Sequence, residues 1–574
     1  MLLAAPQTLF LRGNVLTTRA KSYFSVGIIS LALTLAFTYP QIVHLASGCV
    51  EPPFGRTNDQ YLHMWDAWWL KKALLELHMS PYHTPLVNYP DGANLALQEV
   101  GLVNGILTIP FQFVLPKPHG LILGFNIVVI FSFVASALAM YALIHEITND
   151  HAVAAMCGLY FAFMPYRAAS IMNQIYLSTE WIPLYILFLL RTMKRPLLRN
   201  CIWCAVFFAL TLHSSYTYAF FLILFTVVFV PVKLLSEHKD VFNKSVIVAL
   251  GSIAVFCFII ALPNLVMITA GTINWAQPVE VSDMLSANVA GYFVPPDFQT
   301  VYGFLLRHFG PLPVYTGFVG KALFFTYTLL FFSLYGILTG PKRTMVVWIV
   351  LFAVFLTFSL GTSLHVSKWN IDIKLPYVAL IKYVPLASAM RSPFRFAIVE
   401  RIAFIVLAAY GMKTFIGGSD SSTAEILRYP EGGKLRNRGF RTGLICVLLS
   451  LELWHSPFTY RQASVPEIYY EIAERKEQFV VVDLPVGLKY FLTQYMFYQT
   501  VHEKPILYGN INRPEVGVDE RRIRFEALLK SASRNDAEVL DYLRRYDAGY
   551  VIEHSFPDGE DVVIATHRLL PEPS

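Results

Sequence analysis

Asp59 opens the run Asn58-Asp59-Gln60-Tyr61-Leu62-His63-Met64-Trp65-Asp66-Ala67-Trp68-Trp69, in a chain that is otherwise mostly lipid-soluble. Asp66 follows near two full helical turns later, so both carboxylates fall on one helix face. Carboxylates are costly near a bilayer, and tryptophans settle at its headgroup level. Acid and aromatics at the mouth of a helical bundle point to a site that works on an amphiphilic substrate, with Trp65 and Trp69 beside it. Glu180, in Leu177-Ser178-Thr179-Glu180-Trp181-Ile182-Pro183, is the second candidate acid. Arg391 and Arg395, in Met390-Arg391-Ser392-Pro393-Phe394-Arg395-Phe396, are spaced to hold a phosphate bidentately, with Pro393 keeping the backbone out of a regular helix.

Each group also has a plain structural reading. Asp59 and Glu180 suit the first turn of a helix, where the dipole favours an acid, and Thr57 with Gln60 would form a capping box. Trp65, Trp68 and Trp69 suit membrane anchoring, and the arginines suit interfacial snorkelling. His213 reads as a packed or capping histidine, and Tyr89-Pro90-Asp91-Gly92 as a turn.

The elements that must position these groups follow from composition. Of 574 residues, 55% are hydrophobic and 15% charged, against roughly a quarter charged in soluble domains. This is the composition of an integral membrane protein. The net charge of +6 gives no nucleic-acid signal, because the basic residues lie in short loops between apolar runs. The six cysteines have no paired or metal-type spacing, and Cys201-x-x-Cys204 enters an apolar run, as packing residues do. Arg12, Arg19 and Lys21 precede the first apolar run, which lacks a small-residue cleavage site and so reads as an uncleaved helix.

A span needs about 20 apolar residues. About eleven candidates run over 23–46, 121–144, 152–167, 178–193, 200–213, 216–235, 245–268, 321–339, 344–361, 396–414 and 442–457. The piece 100–115, broken by Gly101, Asn104, Gly105 and Pro110, reads as a re-entrant or interfacial helix. With the N-terminus inside, the clusters Arg191 to Arg199, Lys233 to Lys244, Lys342 with Arg343, and Lys413 to Arg441 fall inside. Counting 100–115 as a span would put them outside. Loops 47–120, 269–320 and 362–395 are then outer. The last of these breaks the charge rule with Lys368, Lys374, Lys382, Arg391 and Arg395, so an anionic partner, a lipid headgroup or a substrate, is expected there, and Lys382 joins the substrate-binding candidates.

The expected fold class is mainly α: a polytopic transmembrane bundle over 1–457, with a small extramembrane α/β domain over 458–574. In the latter, Ser464-Val465-Pro466-Glu467 opens an amphipathic helix and Phe479 to Leu484 is a buried strand. Asp536 to Tyr546 is a helix, followed by a strand at Tyr550 to Glu553. Tyr490, Tyr495, Tyr498 and Tyr508 could stack on sugars or simply pack.

In order and spacing, nearly the whole chain resembles the GT-C superfamily of polytopic glycosyltransferases, such as protein O-mannosyltransferases and lipid A aminoarabinose transferases. The segments quoted above, with Asn88-Tyr89-Pro90-Asp91-Gly92, look like those of a group of bacterial membrane proteins assigned to that superfamily. The resemblance implies an enzyme of the bacterial inner membrane; by the loop charges its N-terminus is cytoplasmic and its C-terminal domain periplasmic or extracellular. It implies transfer of a sugar from a polyprenyl-phosphate donor to an acceptor hydroxyl of a glycolipid, polysaccharide or protein. The position matching the general base is Asp59; Glu180 matches a second acid that is more often aspartate in relatives. Arg391 and Arg395 match the basic residues on the phosphate. Some relatives use a divalent metal, and the acids here form no convincing ligand set. A transporter or flippase for a lipid-linked sugar, or a non-catalytic binding protein, is the alternative.

Overall fold

The computed structural model describes residues 6–569 apart from 52–57, 97, 238–242, 271–277, 297, 303, 305–321, 385–386, 418–430, 456, 488, 512–516, 532–536 and 556–560. Apolar runs fold as helices because a backbone in hydrocarbon must satisfy its own hydrogen bonds. α1 (Pro6–Phe37) leads through β1 (Gly48–Glu51) to α2 (Asp59–Lys71). β2 (His83–Thr84) pairs antiparallel with β3 (Ala93–Asn94). The interrupted apolar piece forms two short helices, α3 (Leu102–Thr108) and α4 (Phe111–Val114), parted at Ile109 and Pro110.

There follow α5 (His119–Thr148), α6 (His151–Phe163), the short α7 (Pro165–Ala169) and α8 (Gln174–Leu177), then α9 (Trp181–Lys194), α10 (Leu198–Ser214), α11 (Tyr216–Glu237) and α12 (Lys244–Ala270). After α13 (Val279–Met284) come α14 (Tyr327–Thr339) and α15 (Lys342–Ser359), and then a hairpin of β4 (Leu364–Val366) and β5 (Trp369–Ile371). α16 (Pro376–Tyr383), α17 (Ala397–Gly417) and α18 (Glu431–Leu453) complete the bundle.

Among the described residues, six helices are long and apolar enough to cross a membrane. The other expected spans are also helical, but shorter or interrupted by charge. α17, for example, buries Glu400 beside Arg401 at 3.3 Å. The polar ends sort into two groups by contact. Arg191 and Lys194 pair with Glu146, and Arg438 pairs with Asp150. In the other group, Asn288 binds Ser367, and Thr300 donates to the carbonyl of Trp454.

The C-terminal part begins with β6 (Thr459–Gln462) and α19 (Ile468–Glu474), then β7 (Val480–Leu484), α20 (Lys489–His502), α21 (Val518–Ser531) and α22 (Ala537–Arg545). β8 (Ala548–Ser555) and β9 (Val562–Arg568) follow. The sheet order is β7-β8-β9, with β7 parallel and β9 antiparallel to the fully buried centre of β8. α19 starts without a side-chain cap at Glu467, so the expected capping box is not made. Thr57, of the other expected box, lies outside the described residues. α2 starts at Asn58 with no side-chain cap.

This part is stitched to the first long loop. β1 pairs antiparallel with β6, and Val87 bridges Ile506. α20 packs on α2, and the tryptophans show the consequence. Trp65 and Trp69 are 0% exposed. Trp65 Nε1 donates to Gln499 Oε1 at 2.7 Å, and Trp69 Nε1 to the carbonyl of Pro81 at 2.9 Å. Their expected seat at the lipid headgroups, with a face toward substrate, is therefore corrected. They form the floor on which the C-terminal part rests.

Candidate active site

Asp59 is the first residue of α2 and is half-buried. Its neighbour Asn58 does not cap the helix. The Asn58 side chain is engaged by the C-terminal part, donating to the carbonyl of Tyr490 at 2.9 Å and accepting from Arg461 Nη1 at 2.9 Å. Arg461 also reaches Glu51 at 3.3 Å. The start of α2 is thus fixed from outside, leaving the Asp59 carboxylate to turn toward α8.

There Asn173 Nδ2 donates to Asp59 Oδ2 at 3.1 Å. The same Asn173 side chain caps α8, its Oδ1 accepting from the backbone of Tyr176. Tyr176 gives its hydroxyl to Glu99 Oε2 at 2.7 Å, and its ring lies under Arg395, whose guanidinium carbon is 3.4 Å from the ring centroid. A single helical turn therefore carries a carboxylate at one residue and a guanidinium three residues on. Residues so spaced lie about 5–6 Å apart at Cβ.

No carboxylate among the described residues pairs with Arg391 or Arg395. Arg391 is exposed and Arg395 half-buried. A guanidinium held by its face against a ring keeps its in-plane N–H groups for an anion. Burial pushes the Tyr176 phenol well above its usual range, and the nearby Glu99 charge adds to this, so it remains a donor.

α8 is held firmly. Gln174 Nε2 donates to the carbonyl of Phe125 at 2.9 Å, and Asn104 Nδ2 to that of Gln174 at 3.3 Å. At the far end, Arg167 Nη1 donates to the carbonyl of Leu177 at 2.8 Å, where a cation suits the helix terminus. Here Glu180 finds its place. It is 1% exposed, and its Oε2 accepts from Ser132 at 2.7 Å, while Ser132 also accepts from Arg167 Nη2 at 3.2 Å. The expectation that Glu180 shares an open surface with Asp59 is corrected: it balances the buried Arg167 behind α8.

Asp66 is likewise internal, 1% exposed and 3.5 Å from His63. Among the described residues, neither of its carboxylate oxygens has a hydrogen-bond partner. Burial raises its pKa to about 6, more than His63 lowers it. The predicted common face is real, but Asp59 is at its open end and Asp66 at its sealed end. Lys382 stands apart on α16, exposed over the ring of Tyr383 at 5.1 Å. Asp91 meets Arg521 of α21, as a turn residue at a surface would.

Sequence reading missed Asn173, Tyr176 and Glu99, whose roles depend on folding. One signal was present: Asn173 stands three residues before Tyr176, as a cap does. Among the described residues, no group of three or more His, Cys, Asp or Glu gathers to hold a metal ion.

The profile of DUF6311, described as a domain of unknown function, matches residues 28–420. No curated protein matches the sequence. Solved structures similar to the chain include the oligosaccharyltransferase AglB of Archaeoglobus fulgidus, in complex with an inhibitory peptide and a dolichol-phosphate. That likeness has a TM-score of 0.45 at 11% identity over 93% of this chain and 69% of that one. The A. fulgidus oligosaccharyltransferase tethered to an acceptor peptide gives 0.47 at 13%, over 93% and 69%. ArnT of Cupriavidus metallidurans, bound to undecaprenyl phosphate, gives 0.41 at 10%, over 94% of each chain. All three are distant likenesses of shape.

Proposed function

The chain belongs to the DUF6311 family, and from that premise we propose that it is a membrane glycosyltransferase drawing on a polyprenyl-phosphate sugar at the outer face of a bacterial inner membrane. Asp59 removes the proton of an acceptor hydroxyl as its oxygen bonds to the anomeric carbon. The bond from that carbon to the phosphate oxygen breaks, and polyprenyl phosphate departs as an anion held by Arg395 and Arg391. The observation that carries this reading is the placement of Asp59 and Arg395 on one turn, α8, through Asn173 and Tyr176.

The chemistry suits the groups. The acceptor hydroxyl is a poor nucleophile, and a positioned base contributes roughly 10²–10⁴-fold. The leaving group is already a stable anion, so fixed positive charge matters more than a proton donor. Glu180 and Asp66, being sealed, have no part in the transfer. The bundle, with α3 and α4 beside α2, offers the apolar surroundings that a polyprenyl chain requires.

The test is release of free polyprenyl phosphate, followed by mass spectrometry, from a panel of polyprenyl-phosphate sugars. The protein is purified into lipid, with Asp59→Asn run alongside wild type. Release by wild type alone, with the variant folded, supports the assignment. Release by both removes Asp59 as the base. Binding without release by either points to a transporter or a binding protein.

A further inference from the structure

Glu99 is the unexplained residue of this site. Its backbone is left-handed, at φ +55°, and two residues on Gly101 stands at +63°. An L residue other than glycine adopts that conformation at a cost, so the surroundings must enforce it. They do so through the carboxylate. Oε1 accepts from the backbone N–H of Thr217 at 2.8 Å and from Ser215 Oγ at 3.1 Å, both at the start of α11, while Oε2 accepts from the Tyr176 hydroxyl. Tyr176 is fixed at a second point, its carbonyl accepting from Tyr218 Oη at 2.8 Å. Tyr218 itself is linked to Tyr166 at 3.1 Å.

We propose that Glu99 and Tyr176 are positioning residues for the phosphate-binding arginine: Glu99 sets the tilt of the Tyr176 ring, and the ring sets the plane of Arg395. The inference rests on the reading of Arg395 as the phosphate ligand. A bridging carboxylate would normally pair with the guanidinium directly and occupy its N–H fork. Here the carboxylate is taken up by α11 and by a phenol, and it is the Tyr176 ring that lies against Arg395. Its charge remains close enough to favour the cation while the fork stays open to an incoming phosphate. The arrangement presents a planar, oriented pair of donors rather than a mobile cation, which selects a phosphate over an uncharged head of the same lipid.

The measurement is binding of farnesyl phosphate and of farnesol to the full chain in nanodiscs, reported as the ratio of the two Kd values. Arg395→Met is expected to lower the preference for phosphate by about 30-fold, the scale of a charged hydrogen-bonded contact. Tyr176→Leu, which removes the platform, is expected to lower it by about tenfold, and Glu99→Gln by about fivefold, with farnesol binding unchanged. Tyr176→Phe keeps the ring and should retain most of the preference. If Tyr176→Leu weakens both ligands equally, or neither, the positioning role is overturned while the Arg395 assignment stands. If Arg395→Met leaves the ratio unchanged, the phosphate site and this inference both fall.

Discussion

The guanidinium of Arg395 rests 3.4 Å from the centroid of the Tyr176 ring, and the same short helix reaches Asp59 through Asn173. Asp59 and Arg395, the proposed base and anion holder, therefore share a common support. Lysine could keep the charge at 395 but neither stack nor fork. Arg395→Lys is expected to raise KM for the lipid-linked donor by about tenfold, with a smaller change in kcat. Steady-state kinetics over a donor series would check it, and an unchanged KM would remove the planar-fork argument.

Arg167 and Glu180 make the opposite case. Removing one member of a buried compensated pair leaves a charge without its counterpart and costs about 3–5 kcal/mol. Arg167→Met should therefore unfold more readily than wild type, and the double change with Glu180→Gln should recover much of the loss. Thermal denaturation of the three proteins in lipid gives the answer. If the double variant is as weak as the single one, the two charges do not balance each other.

Asp66 gives a pH signature. Its pKa is raised from 3.8 to about 6, mainly by burial, so the folded chain keeps a proton that the unfolded chain releases in that interval. Stability must fall as pH rises from about 4 to 6 and remain lower by about 3 kcal/mol above it. Asp66→Asn is expected to melt higher than wild type at pH 7.5 and to lose that slope. Equal melting of the two proteins would place water or an unseen donor at the carboxylate.

His554 gives a slope of the same sign in a separate, more alkaline window. Burial alone would lower its pKa, but Asp483 at 3.2 Å and Asp561 at 2.8 Å outweigh this and raise it from 6.5 to about 9. The group contributes its stabilisation in full below pH 6.5 and loses it as pH climbs to about 9, a span of about 3 kcal/mol. Melting of the wild-type protein should drop across that range. In His554→Gln the curve should be flat there and lower at neutral pH.

Periodicity and apolar length made the bundle legible. Each apolar run contains a helix, and the strand at 480–484 and the helix at 537–545 lie where the C-terminal pattern put them. Asp59 and the two arginines were legible as charges at a membrane mouth, where helix capping and snorkelling are the competing readings. The tryptophans were misread because amphipathic rings have the same signature under a protein lid as at a headgroup layer. What converts one into the other is Gln499, 434 residues away from Trp65. Glu180 was misread for a related reason: an acid at a helix start looks alike whether it faces water or balances a buried arginine. Asn173, Tyr176 and Glu99 gave almost no local signal, since their meaning lies in what they touch.

The pairing of β1 with β6 bears on the order of assembly. Arg461, next to Gln462 at the end of β6, clasps Asn58 across 403 positions of chain, and Asn58 immediately precedes the proposed base. A nascent polypeptide whose helices are already inserted still lacks that clasp until β6 has emerged on the same side. The corner around Asp59 is thus completed late in synthesis, and until then the start of α2 is without the Arg461 contact that fixes Asn58 beside it.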